Sequence, residues 1–99
     1  MNTPPQIEIG DAIEQLLSRE EVAQLLGTNK RRLFDYLDTA SLFIPRFKRF
    51  RSTNGGVSRK AMLSNWDVEP LKKIQHIYKK FGDPGKARTY IAEHPQEFN

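Results

Sequence analysis

The stretch that decides the fold reads Ser18-Arg19-Glu20-Glu21-Val22-Ala23-Gln24-Leu25-Leu26-Gly27-Thr28-Asn29-Lys30-Arg31-Arg32-Leu33-Phe34-Asp35-Tyr36. Ser18 and Glu21 stand at capping-box spacing, a hydroxyl for the free amide three residues on and a carboxylate able to reach back, so a helix starts at Arg19. Val22, Leu25 and Leu26 recur at helical spacing as its buried stripe, and Gly27 supplies the left-handed residue that commonly ends a helix. Thr28 is placed to cap a second helix over about Asn29 to Thr39, with Leu33, Tyr36 and Leu37 turned inward. Ala23 and Gly27, four apart, provide the small contact and the sharp turn that two closely crossing helices need. The short connection from Leu26 to Lys30 is that of a helix-turn-helix.

Upstream, Asn2, Thr3, Pro4 and Pro5 lack periodicity, and residues 1–10 are expected to be a flexible arm. Ala12, Ile13, Leu16 and Leu17 suggest a short amphipathic helix from Asp11. Downstream, Phe43 to Arg51 mixes aromatic, β-branched and basic residues around Pro45. Ser52-Thr53-Asn54-Gly55-Gly56 is a turn signal ahead of Val57. Residues 44–60 therefore read as a β-hairpin, with Pro45 confining its first strand to an edge or a late start. Ser64 to Asp67 opens a further helix whose stripe is Val68, Leu71, Ile74, Ile77, Tyr78 and Phe81, ended by Gly82. Asp83-Pro84 then caps and starts a last helix carrying Ala87, Tyr90 and Ile91, up to His94-Pro95. The expected architecture is mainly α with a small β-hairpin wing, a winged helix-turn-helix over residues 11–94 followed by a tail, 95–99.

With 99 residues the chain affords one core, because a second would need roughly 50 residues of its own. No cysteine is present, so neither disulfides nor thiolate metal sites can staple that core. No run of about 18 apolar residues occurs and the start lacks a leader-like pattern, so a soluble, cytoplasmic, nucleoid-associated protein with no membrane contact is expected. The net charge of +4 is unevenly spread: −4 over residues 1–29, +7 over 30–60 and +1 over 61–99. A basic centre flanked by an acidic arm and a near-neutral end is the asymmetry of a surface that meets a polyanion.

The exposed residues of the second helix fit double-stranded DNA, since the N-terminal end of a recognition helix enters the major groove first. Lys30 and Arg31 can donate to guanine O6 and N7, with Arg32 beside them. Asn29 can pair with adenine or cap a phosphate, Phe34 can touch a thymine methyl, and Asp35 can accept from cytosine N4. Free amides at Thr28 and Asn29 offer an anion site. The wing adds Arg46, Lys48, Arg49, Arg51, Arg59 and Lys60 as phosphate or minor-groove contacts, with Asn54 at a tip small enough for close approach. Phe47 and Phe50 are expected in the core, because a hairpin must bury one face. His76 and His94 have no partner at ligand spacing, and no phosphate loop, nucleophile elbow or carboxylate pair appears. No metal, cofactor or enzyme activity is therefore expected.

From Ser18 to Ile91 the sequence resembles the N-terminal winged-helix domain of MerR-type regulators. The matching positions are Glu21-Val22-Ala23-Gln24-Leu25-Leu26-Gly27, Tyr36, Pro45-Arg46, Trp66-Asp67-Val68, Leu71, Ile74 and Gly82. The resemblance implies homodimeric binding to a palindromic promoter with distortion of the DNA. Phe34 stands where that family commonly carries Arg, the usual Gly-Leu is missing between Ala40 and Ile44, and no coiled-coil helix follows Asn99. Effector sensing is therefore not carried over. Similar domains occur in partition ATPases and mobile-element regulators. The competing expectation is a protein-interaction adaptor that docks through Phe34, Phe43, Phe47 and Phe50.

Overall fold

The computed structural model describes residues 13–59 and 61–99. The expected arm, together with Asp11, Ala12 and Lys60, lies outside them. The described chain is mainly helical with one small antiparallel sheet. Its elements are β1 (Leu16–Leu17), α1 (Arg19–Leu25), α2 (Lys30–Phe43), a 3₁₀ helix (Pro45–Phe50), β2 (Leu63–Ser64), a 3₁₀ turn (Asn65–Asp67), α3 (Val68–Phe81), α4 (Pro84–Glu93) and a 3₁₀ turn (Pro95–Phe98).

The capping box is formed: Ser18 Oγ accepts from the Glu21 amide at 3.0 Å, and the Glu21 carboxylate accepts from the Ser18 amide at 2.8 Å. Gly27 adopts a φ of 68°, and around it the Thr28 amide donates to the Ala23 carbonyl at 2.8 Å and the Gly27 amide to Gln24 at 3.0 Å. This pair of reverse bonds satisfies carbonyls that α1 would otherwise leave orphaned. The cap of α2 falls one residue later than expected, on Asn29, whose side-chain oxygen accepts from the Arg32 amide at 2.8 Å. From there α2 runs to Phe43, four residues past the expected Thr39, burying Leu33, Tyr36, Leu37 and Ala40. Leu25, expected in the stripe of α1, is exposed, and Ala23 is buried in its place beside Val22.

The segment expected as a helix from Asp11 is an extended strand where it is described. Leu16 and Leu17 pair with Ser64 and Leu63, and Gln15 and Asn65 continue the contact, Gln15 N to Asn65 Oδ1 at 2.6 Å and Asn65 N to Gln15 O at 3.0 Å. A stripe of four apolar residues over less than two helical turns gains little against the cost of helix nucleation, and here an extended partner is available.

The two-stranded element thus sits away from residues 44–60, where the hairpin was expected. There, Pro45 has no amide for a ladder and fixes φ near the helical range, and a 3₁₀ helix forms instead. Side chains three apart eclipse in that helix, which puts Phe47 and Phe50 together inside the core, their centroids 5.9 Å apart. What remains of the expected hairpin is one bridge, Arg51 to Val57, around the turn 52–56.

The core joins α1, α2 and the 3₁₀ helix to Leu71, Ile74 and Ile77 of α3 and Ala87 and Ile91 of α4. Two polar contacts, one buried and one partly buried, fix how α3 sits on the first two helices. Gln75 Nε2 donates to the Leu26 carbonyl at 2.9 Å, and Thr39 Oγ1 shares a 2.6 Å hydrogen bond with Tyr78 Oη. Residues 95–99, expected as a tail, return to the body: Phe98 is 1% exposed and belongs to the same cluster.

Candidate nucleic-acid interface

The start of α2 and the loop after Val57 face one another across a groove of about 390 Å³, walled by Arg19, Lys30, Arg31, Phe34, Val57 and Arg59 among others, with no carboxylate in its lining. Four cations from three parts of the chain therefore converge on one concave surface. Lys30, Arg31 and Arg59 are solvent-exposed, and Phe34 is 45% exposed on the groove wall. Asp35 is exposed on the same helix. Arg32 turns to another groove, which it lines with Tyr36, Tyr78 and Lys79.

Arg19 was not expected at this site. It stands at the first position of α1, in the acidic part of the sequence, yet its Nη2 donates to the carbonyls of Ser58 at 2.8 Å and Ala61 at 3.2 Å. Burial, and then the like charge of Arg59, lower its proton affinity below the ordinary arginine range. Only the arrival of a loop some forty positions away places it here, and no local pattern announces that.

Three of the expected wing cations have structural work. Arg49 Nη2 lies 2.9 and 2.7 Å from the two oxygens of Asp67, while its Nη1 donates to the Arg46 carbonyl at 2.6 Å. Arg46 donates to the Trp66 carbonyl at 2.9 Å and lies 3.7 Å from Asp67. The Asp67 side chain is 1% exposed and also accepts from the Ser64 amide at 2.9 Å. Three-residue spacing explains the pairing, since Arg46 and Arg49 share one face of the 3₁₀ helix as Phe47 and Phe50 share the other. Arg51 bonds the Asp38 carboxylate at 2.8 Å and its carbonyl at 2.9 Å, and donates to Gly55 O.

Lys48 is exposed and makes no ion pair among the described residues. Asn54 is exposed at the turn. The Thr28 amide and the Asn29 side-chain oxygen, expected as ligands for a phosphate or a base, are spent on the helix junction. The phenylalanine patch expected of an adaptor does not form, because Phe47 and Phe50 are fully buried and Phe43 is partly so.

Among the described residues no group of three or more His, Cys, Asp or Glu side chains is placed to hold a metal ion, and no helix is long and apolar enough to cross a membrane. No family model matches the chain, and no curated protein or solved structure is similar enough to count as a match.

Proposed function

We propose that the chain binds double-stranded DNA as a winged helix-turn-helix of the MerR-like type. In this reading α1 and α2 are the helix-turn-helix, α2 is the recognition helix, and residues 51–59 are a shortened wing. The observation that carries the reading is the groove in which Lys30 and Arg31 from α2, Arg59 from the loop and Arg19 from α1 converge without a compensating carboxylate. Positive charge at the N-terminus of α2 opposes the helix dipole, so its concentration there answers to something outside the helix.

Lys30 and Arg31 read guanine edges in the major groove while Arg59 holds a phosphate beside them, and Phe34 offers an apolar contact for a thymine methyl. Arg32 and Lys48 are exposed but do not line this groove, whereas Arg46, Arg49 and Arg51 brace the fold. The protein then acts as a transcriptional regulator or as the DNA-binding part of a partition or mobile-element system, with two copies on a palindromic site and no catalytic step.

Titration of duplex binding against salt is the direct test. Log affinity should fall linearly with log salt, by about 0.9 per neutralised phosphate. A dissociation constant weaker than about 10⁻⁴ M at low salt overturns the reading, since generic binding alone is stronger than that.

A further inference from the structure

We infer that Arg19 is a positioning residue, a strut that holds the loop 57–59 against the start of α2 so that Arg59 grips a phosphate in fixed register with Arg31 on the base edges. The inference rests on the DNA-binding reading above. The loop's own contacts among the described residues are local: the bridge between Arg51 and Val57, hydrogen bonds from the Ser58 amide to Phe50 O, from the Ser52 amide to Gly56 O and from the Gly55 amide to Ser52 O, and that of Arg51 to Gly55 O. Arg19 adds two hydrogen bonds from a different element, reaching 39 and 42 positions along the chain to the carbonyls that flank Arg59. A guanidinium suits this task because its fork of donors is rigid and its charge strengthens each bond.

The arrangement also opposes itself. The strut brings the Arg19 charge toward Arg59, and burial first, then that like charge, lower the proton affinity of Arg19. An anion in the groove relieves the repulsion while the carbonyl bonds stay in place. Strut and phosphate therefore support each other, and Arg19 serves DNA binding through Arg59.

The test compares the whole chain with its Arg19→Met, Arg19→Lys and Arg59→Ala variants and the Arg19→Met/Arg59→Ala double variant. Without DNA, exchange of the Ser58 amide, which donates to Phe50 O, should quicken about tenfold or more in Arg19→Met, the loss of a charge-assisted hydrogen bond. It should stay unchanged in Arg59→Ala, and α2 should remain protected in both. With duplex DNA, Arg19→Met and Arg59→Ala should each lower the salt slope by about one phosphate. The double variant should lose no more than either single one, the non-additivity of two residues acting as a unit.

Arg19→Lys keeps the charge and one donor, so it should recover part of the affinity; if the Met variant does not fold, the Lys variant carries both comparisons. Unchanged loop exchange, or losses that simply add, overturn the proposal. A wild-type chain without duplex affinity overturns the DNA reading and the role of Arg59 in it, and loop exchange then decides the strut separately.

Discussion

Arg49 closes over Asp67, one guanidinium nitrogen within 2.9 Å of both carboxylate oxygens. The contact joins the 3₁₀ helix to the residues that start α3, and the Asp67 side chain is shielded from solvent. Arg49→Met should therefore lower folding stability by about 1–3 kcal/mol, the range for a hydrogen bond to a charged group. It should leave the salt slope of DNA binding as it was. Chemical denaturation and duplex titration on the same variant separate the two effects, and a reduced slope would return Arg49 to the DNA surface.

Arg31 and Arg59 line the same groove from different elements, and the proposed function gives them different duties. Arg31→Ala should cost about 1–3 kcal/mol against the preferred base at one position and flatten the preference there. Arg59→Ala should weaken preferred and scrambled duplexes alike. Selection of bound duplexes from a random pool, run with both variants, reads the difference. Equal losses on every sequence for both would show that Arg31 contacts backbone only.

Features set by near neighbours were legible in the sequence: the Ser18–Glu21 capping box, the left-handed Gly27 and Gly82, and the Asp83-Pro84 start of α4 all appear where the residues put them. Features set by distant partners were not. Leu16 and Leu17 are extended because of Ser64 and Leu63, and the place of Arg19 at the groove depends on Ser58 and Ala61. Residues 45–50 fall between these cases. Aromatic and basic residues suit a strand as well as a turn, but Phe47 with Phe50 and Arg46 with Arg49 repeat at three, the spacing of a 3₁₀ helix and not of a strand.

Gln75 reaches from α3 to the turn between α1 and α2, donating to Leu26 O in a buried setting. Gln75→Leu should strand that carbonyl and cost about 1–3 kcal/mol. Gly27→Ala should cost about 1–2 kcal/mol for a different reason: the added methyl meets no atom within 4 Å, but the backbone is left-handed at φ 68°. Denaturation midpoints measure both, and a neutral Gly27→Ala would mean that the turn relaxes to another geometry.

Phe98 anchors the last 3₁₀ turn in the core. Phe98→Ala should destabilise the chain by about 3–5 kcal/mol, as for other buried aromatic truncations. A loss under about 1 kcal/mol would restore residues 95–99 to the status of a tail.

Tyr90 Oη donates to the Glu97 carboxylate at 2.8 Å, and that bond, with burial and the negative charge of Glu97 behind it, holds the phenol above its ordinary range. Raising the folded-state value means that the bond contributes below the unfolded phenol's range and is lost as pH rises through the folded one. Ultraviolet titration, with Tyr90→Phe to assign the transition, should show it moving down in Glu97→Gln. An unmoved transition would mean that the bond does not form in solution.

The β1–β2 ladder has two residues a side, yet it fastens Gln15 to Asn65 across 50 positions. Everything that meets the groove lies inside the ring of chain it closes. Closing so large a ring costs conformational entropy before its few bonds repay any, so the ladder depends on the packed helices inside the ring to bring its strands together. The clasp adds to what already holds α1, whose Val22 and Ala23 belong to the core.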